Sequence, residues 1–156
     1  MFWKKKNVGT VYSPCVGQVI NLSEVPDAVF SEKMLGDGAC IVPESGDFFS
    51  PVDGEIVQVF DTKHAYSIRS NDGLEILLHI GLNTVELKGE GFTSLVNDGD
   101  LVKKGDKIAE VNLEYIQDMG YQLYTPVLIT NMGLVRKINF AEKKAEVNDT
   151  LFTYEK

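Results

Sequence analysis

The chain has 156 residues and a mass of 17.3 kDa, a length typical of one ordinary domain that buries a core without needing disulfides or a metal. Asp and Glu number 23 against 15 Lys and Arg, so the formal net charge is -8 at pH 7. An acidic surface repels the phosphates of nucleic acids, which argues against nucleic acid as a partner, and it favours basic protein partners.

The N-terminal residues resemble neither a secretion signal nor a membrane span. Three lysines follow Trp3, but no apolar stretch of signal-peptide length comes after them. No apolar run is long enough to cross a bilayer, so we expect no stable membrane insertion. Cys15 and Cys40 lie in apolar segments, which predicts small buried side chains in a reducing compartment. We therefore expect a cytoplasmic protein with a flexible tail over residues 1–9 and a single domain over residues 10–156.

Short apolar runs separated by glycine, aspartate and asparagine make up most of the chain. They are about four to eight residues long and rich in valine and isoleucine, which is typical of strands in an all-β protein. The sequence therefore predicts an antiparallel β-sandwich or barrel. The predicted strands span residues 17–22, 54–60, 65–68, 74–80, 107–111, 127–130 and 134–138.

Helical signals are few. Residues 114–119 predict one or two helical turns ended by Gly120, and residues 24–34 predict another short helical or 3₁₀ piece. The sequence Gly36-Asp37-Gly38 predicts a turn. The fold is therefore expected to contain little helix.

One sequence pattern occurs twice. Residues 13–20 and 50–57 both read Ser-Pro-x-x-Gly, followed by a polar residue and two β-branched residues. We interpret the repeat as two similar units within one domain, each a turn that leads into a strand.

His64 and His79 are the only histidines in the chain. Residues 70–73 between them form a strong turn signal, which predicts a hairpin. If the loop is Asn71-Asp72, the two histidines face each other directly. If the loop is Asp72-Gly73, they are diagonal neighbours on the same face. A three-residue loop would move one of them to the other face.

Two histidines on one face suit several kinds of site. They could be structural, bind a metal, or act as a nucleophile with a hydrogen-bond donor. Two ligands make an incomplete zinc site, for which Asp53 and Asp61 are the candidate third ligands. The hydroxyl of Thr62, two residues before His64, would share its face in a strand and fix an imidazole tautomer. The residues alone leave these alternatives open.

Two segments of the chain resemble a known protein family. They are residues 79–92, HIGLNTVELKGEGF, and residues 62–68, TKHAYSI. They closely resemble the glucose-class IIA component of the bacterial phosphoenolpyruvate:sugar phosphotransferase system. The resemblance extends through residues 25–38, 50–54, 125–127 and 131–132, and so covers nearly the whole chain from about residue 10. It implies an antiparallel β-sandwich of the duplicated hybrid-motif type.

The resemblance also implies a phosphoryl-transfer function. His79 matches the histidine that is phosphorylated on Nε2 by the phosphohistidine of the carrier HPr, and a cysteine of a IIB sugar-permease domain is the acceptor. His64 matches the histidine that supports the phosphoryl group, and Thr62 matches the threonine that orients the pair. No cofactor is required. In some relatives the two histidines bind zinc when a partner protein supplies another ligand.

Docking of these partners is expected on an apolar patch beside the histidines. An acidic rim that includes Asp27 suits transient contact with a basic partner. Asn83 stands on this rim where the family commonly has aspartate, which puts one charge contact in doubt. The apolar candidates are Val29, Phe30, Met34, Leu35, Phe60 and Leu77.

Two other functions are alternatives to the phosphocarrier. One is a zinc-dependent hydrolase on a related β scaffold, for which lysostaphin-like peptidases are a fold-level analogue. The other is a purely regulatory module that binds target proteins according to its phosphorylation state. The sequence names neither the sugar nor any regulated protein.

Overall fold

The structure is a computed structural model and describes residues 8–141 and 144–156. It is built almost entirely of antiparallel strands, and the turn residues noted in the sequence separate them. In chain order the strands are β1 (Val8–Tyr12), β2 (Gly17–Asn21), β3 (Asp37–Pro43), β4 (Asp47–Phe49), β5 (Gly54–Val59), β6 (Ala65–Ser70), β7 (Glu75–His79), β8 (Phe92–Ser94), β9 (Leu101–Val102), β10 (Lys107–Val111), β11 (Thr125–Ile129), β12 (Lys137–Phe140), β13 (Lys144–Ala145) and β14 (Thr150–Glu155).

Helical structure is short. Helix α1 (Ala28–Ser31) begins at the N-cap residue Asp27, whose side chain accepts a hydrogen bond from the Val29 amide. Helix α2 (Leu113–Asp118) begins at Asn112 in the same way. None of the helices in the described residues is long and apolar enough to span a bilayer. The 3₁₀ segments are Leu22–Glu24, Thr84–Leu87 and Met132–Leu134.

Three antiparallel sheets enclose the core. The largest has the strand order β13-β2-β3-β11-β7-β6-β5-β9, and the two smaller sheets have the orders β1-β14-β12 and β4-β10-β8. Alternate residues of β6 and β7, such as Ile68 and Ile76, point into the main apolar cluster. Phe48 of β4 and Ile108 of β10 enter the same cluster. The predicted all-β sandwich fold is confirmed.

Most predicted strands are found within one or two residues of their expected bounds, but two segments differ. The run at residues 134–138 was predicted as a strand, yet β12 begins only at Lys137, after a 3₁₀ turn. The predicted turn at residues 36–38 is wrong because β3 begins at Asp37. Gly38 instead allows close strand contact, since a Cβ there would lie 2.0 Å from Val127 O.

The N-terminal boundary also shifts. Val8 and Gly9, which the sequence assigned to the tail, pair with β14 as part of β1. Residues 1–7, the rest of the predicted tail, lie outside the described residues. The single domain over residues 10–156 stays a prediction.

The two sequence repeats bind each other reciprocally. In each repeat the opening serine hydroxyl donates to the carbonyl two residues later, at 2.7 Å. Tyr12 N, beside the first repeat, donates to Pro51 O at 2.9 Å, and Phe49 N, beside the second, donates to Pro14 O at 2.7 Å. The repeat is therefore a structural pair at the centre of the fold.

Both cysteines are free and buried, as predicted. Burial raises the pKa of both thiols, that of Cys40 to about 12. The thiols therefore stay protonated near neutral pH and are not nucleophiles.

Candidate functional site

The β6–β7 hairpin has a three-residue loop, so both predicted registers are wrong. Ala65 pairs with His79, and Ser70 N donates to Leu74 O at 2.8 Å across the loop. In a continuous strand this register would place the histidines on opposite faces. However, His64 precedes β6 in a turn where Lys63 has a left-handed φ of 57°. The turn breaks the strand alternation before His64.

The two imidazole rings nevertheless meet. Their centroids are 4.9 Å apart and their planes are nearly perpendicular, at 86°. The ring of Phe30 lies 5.0 Å from that of His79, and the ring of Phe60 lies 5.8 Å from that of His64. The histidine pair is thus held between two aromatic rings, an arrangement that joins α1, the β5–β6 turn and β7.

The hydrogen-bond partner of His79 determines which ring nitrogen carries the proton. Nδ1 of His79 lies 2.8 Å from the carbonyl oxygen of Gly81. A carbonyl only accepts hydrogen bonds, so Nδ1 donates and carries the proton. In the neutral ring the lone pair is then on Nε2. The His79 residue is partly buried rather than fully enclosed.

His64 is more enclosed than His79 and is held through the same ring nitrogen, Nδ1. It is only 4% exposed, and its Nδ1 lies 2.5 Å from the hydroxyl oxygen of Thr62. The predicted contact between Thr62 and an imidazole is present, although both residues lie in a turn rather than a strand. Nε2 is the nitrogen of His64 left for other contacts.

Both histidines are held neutral. Burial, followed by the charge of His79, lowers the pKa of His64 to about 4. Burial also lowers the pKa of His79, against the opposing effects of the Gly81 hydrogen bond and the negative charge of Asp27. A neutral imidazole keeps a lone pair, so the site offers one nucleophilic nitrogen beside a second, neutral ring.

Comparison with known proteins identifies the family of this site. The family model described as phosphoenolpyruvate-dependent sugar phosphotransferase system, EIIA 1, matches residues 9–135. The chain belongs to this family. The resemblance seen in the sequence is thereby confirmed, and this EIIA chain is a phosphocarrier component of the sugar phosphotransferase system.

Individual relatives agree with this assignment. The EIIA chain is 47% identical over 129 residues to the glucose-specific EIIA component of Oceanobacillus iheyensis, covering 83% of this chain and 78% of that protein. It matches the solved structure of glucose permease IIA from Mycoplasma capricolum with a TM-score of 0.90 and 40% identity, covering 97% and 99% of the two chains. A glucose-specific EIICBA component of Staphylococcus carnosus is 48% identical over 125 residues, which are 80% of this chain and 18% of that protein.

An EIIA component needs no cofactor, and the zinc hydrolase gains no support. Within residues 8–141 and 144–156, no group of three or more His, Cys, Asp or Glu side chains is placed to hold a metal ion. Asp53, one of the considered third ligands, accepts a hydrogen bond from Lys104 N at 2.8 Å. Asp61, the other, is an exposed turn residue.

The predicted docking residues of the EIIA chain differ in exposure. Phe30 is only 4% exposed, and its ring packs beside that of His79. Asn83 is exposed and left-handed, with φ of 59°, a conformation that asparagine and aspartate both tolerate. Val85, which the sequence analysis did not select, is also exposed in the 3₁₀ turn that follows. Of the other candidates, Val29, Met34 and Leu35 are exposed, and Phe60, Leu77 and Asp27 are partly buried.

Gly81 is expected to be intolerant of a side chain. Its φ is 78°, and an added Cβ would lie 2.6 Å from Thr84 Cγ2 and 3.1 Å from Gln122 O. Gly81→Ala should therefore lower the free energy of unfolding by about 3 kcal/mol, from left-handed strain and overpacking together. Denaturant unfolding measures this loss.

Gly73→Ala is the matched control for Gly81→Ala. Gly73 has a φ of 91°, but nothing lies within 4 Å of an added Cβ. Gly73→Ala should therefore lower the free energy of unfolding only by the backbone strain, about 1 kcal/mol. Equal losses in the two variants would show that the Thr84 and Gln122 contacts do not restrict Gly81.

The low pKa of His64 predicts a specific pH dependence. Because the folded pKa is about 4 and the ordinary value is 6.5, the unfolded chain binds more protons in that interval. The contribution of His64 to the free energy of unfolding should be full above pH 6.5 and decline as the pH falls towards 4. A proton NMR titration of the imidazole Cε1–H should show a midpoint near 4.

Urea unfolding of His64→Gln serves as the control for this titration. The glutamine variant lacks the titrating group, so its stability should fall less steeply below pH 6.5. A midpoint near 6.5 for His64 would contradict the proposed desolvation of the ring.

Proposed function

We propose that His79 carries the phosphoryl group on Nε2, taking it from the phosphohistidine of HPr and giving it to a cysteine of a IIB domain. The observation that carries this proposal is the 2.8 Å contact between His79 Nδ1 and Gly81 O. It fixes the proton on Nδ1 and leaves Nε2 as the nucleophile. The family supplies the donor and acceptor classes.

The first step replaces one P–N bond with another. The lone pair of His79 Nε2 attacks phosphorus as the bond to the donor histidine breaks, and the electron pair of that bond returns to the donor nitrogen. His79 keeps its Nδ1 proton, so its ring gains positive charge. The carbonyl of Gly81 stabilises this charge by accepting the Nδ1–H hydrogen bond.

His64 supports the oxygens of the transferring group. We assign the Thr62 hydroxyl as the donor in its 2.5 Å contact with His64 Nδ1, which places the proton of neutral His64 on Nε2. That N–H stabilises the negative charge that spreads over the phosphoryl oxygens in the transition state. Thr62 thus acts as a positioning residue that selects the donor tautomer of His64.

The second step passes the phosphoryl group to a thiolate of the IIB domain. The thiolate electron pair forms the P–S bond, and the P–Nε2 electron pair returns to His79, which restores the neutral ring. No metal is needed because phosphohistidine is already an activated donor, and positioning provides much of the catalysis. Zinc would bind His64 and His79 only if a partner supplied the remaining ligands.

The partners are proposed to dock on the face that presents His79. We assign the apolar contacts to the exposed side chains of Val29, Met34 and Val85, and Asp27 supplies negative charge beside His79. This combination suits a brief encounter with a basic carrier such as HPr. Asn83 carries no charge, so we expect it to make no ionic contact with HPr. We continue to expect a cytoplasmic location.

A purely regulatory module is the second candidate function. It would share the phosphorylated histidine but never pass phosphate to a IIB cysteine. The EIICBA component of Staphylococcus carnosus, whose name combines C, B and A components, favours onward transfer.

One experiment tests the whole route. The chain is incubated with phosphoenolpyruvate, enzyme I and HPr, and then with a purified IIB domain. We expect an acid-labile phosphate on His79, located by mass spectrometry, that moves to the IIB cysteine. A label on another residue would overturn the proposed site, and a label that never leaves would support the regulatory module.

A further inference from the structure

The Gly81 carbonyl that sets the His79 tautomer belongs to a segment with little stiffness of its own. Gly81 has a φ of 78°, and glycine restricts its backbone less than any other residue. A peptide that rotates freely would not hold its oxygen 2.8 Å from Nδ1 of His79. Neighbouring groups must therefore hold this peptide in place.

Two backbone hydrogen bonds hold the ends of the segment. Ile80 N donates to His64 O at 2.7 Å, which ties the residue after His79 to the second histidine. Leu82 N donates to Gln122 O at 3.1 Å. The Leu82 bond holds the Gly81–Leu82 peptide, which carries Gly81 O, and the Ile80 bond holds the His79–Ile80 peptide. Neither bond orients the Ile80–Gly81 peptide, which lies between them and determines where Gly81 itself is placed.

Thr84 contacts that peptide with both branches of its side chain. It is completely buried, and its hydroxyl donates to Ile80 O at 2.6 Å. Its methyl group packs against Gly81, only 2.6 Å from where a Cβ would be. The hydroxyl therefore sets the orientation of the peptide, and the methyl group restricts the space in which it moves.

The geometry points to Thr84 as a positioning residue for phosphoryl transfer. Its hydroxyl holds the Ile80–Gly81 peptide and so places Gly81. With the next peptide tied through Leu82 N to Gln122 O, Gly81 O is then directed at Nδ1 of His79, accepts its proton and keeps Nε2 free to react. This inference rests on the proposed function, because it assigns a purpose to the tautomer only if Nε2 receives phosphate. The tautomer itself is observable without any transfer.

The test uses two substitutions that separate the branches of the side chain. Thr84→Val keeps the shape and removes the hydroxyl, and Thr84→Ser keeps the hydroxyl and removes the methyl group. Nitrogen-15 NMR of the imidazoles should show His79 as one Nδ1–H tautomer in the unmodified chain and in Thr84→Ser. In Thr84→Val we expect a mixture of both tautomers and a phosphorylation rate at saturating phospho-HPr that is about tenfold lower, the loss of roughly one buried hydrogen bond.

Ser13→Ala is the matched control for a buried hydroxyl. Ser13 is also completely buried, and its hydroxyl donates to Cys15 O at 2.7 Å. Its loss should lower thermal stability by a similar amount while leaving the His79 tautomer and the phosphorylation rate unchanged. This separates a positioning effect from general destabilisation.

The outcomes are distinct. An unchanged His79 tautomer and rate in folded Thr84→Val would overturn the inference. So would the same tautomer mixture in Ser13→Ala. If the unmodified chain shows the Nδ1–H tautomer but takes up no phosphate on His79, the proposed function fails while the positioning of the ring by Thr84 still stands.

Discussion

His79→Ala is expected to take up no phosphoryl group from phospho-HPr. The substitution removes Nε2, the nitrogen whose lone pair is left free by the hydrogen bond from Nδ1 to Gly81 O. His64 cannot replace it, because that ring is only 4% exposed and its Nδ1 is occupied by Thr62. Radiolabelled phosphoenolpyruvate with enzyme I and HPr, followed by gel analysis without acid, measures the uptake.

The control for this loss of phosphorylation is a check that the His79→Ala variant is folded. The His79 ring contacts Phe30 and His64, so circular dichroism and thermal unfolding should accompany the assay. A folded His79→Ala chain that still carries acid-labile phosphate would place the phosphoryl group elsewhere and end the proposal.

His64→Ala is expected to accept the phosphoryl group but to pass it on slowly. During uptake we expect the donor protein to supply its own contacts to the phosphoryl oxygens. During release a thiolate anion approaches an anionic phosphoryl group, and the N–H of His64, whose ring centroid is 4.9 Å from that of His79, offsets their repulsion. Losing such a donor should slow transfer to the IIB cysteine by about 100- to 1,000-fold.

Single-turnover assays separate the two steps. The phosphorylated variant is purified away from HPr, mixed with the IIB domain, and followed by the transfer of label. Thr62→Val is a useful companion, since it removes the hydroxyl 2.5 Å from His64 Nδ1 but keeps the ring. It should show a smaller defect of the same kind. Equal transfer rates in His64→Ala and the unmodified chain would remove His64 from the mechanism.

The β6–β7 hairpin was predicted correctly in its turn and strands but not in its register. The turn at residues 70–73 and its flanking strands are found as expected. The register was missed because Gly73 is left-handed, with φ of 91°, which allows a three-residue loop ending in glycine. Counting glycine as the third loop residue would have found this register.

The position of His64 could not be read from the strand pattern. The turn before β6 depends on a left-handed Lys63 with φ of 57°, and lysine gives no sequence signal for that conformation. The pairing of the histidines was therefore predicted correctly from the wrong geometry. Family resemblance, rather than strand alternation, was the sounder support for it.

Other parts of the site depend on contacts between distant segments. Phe30 was predicted as a docking residue, but its ring packs beside His79, which requires the placement of α1 against β7. Thr84 lies in the family motif, yet its bond to Ile80 O appears only once the loop is folded. Local sequence patterns do not predict such tertiary contacts.

The reciprocal hydrogen bonds between the repeats affect how this chain folds as it is synthesised. Tyr12 N depends on Pro51 O, and Phe49 N depends on Pro14 O, so the first repeat is incomplete until the second has emerged. β1 likewise has no pairing partner until β14 has been synthesised. The polypeptide therefore has no length short of β14 at which its sandwich is closed, and we expect its folding to be cooperative.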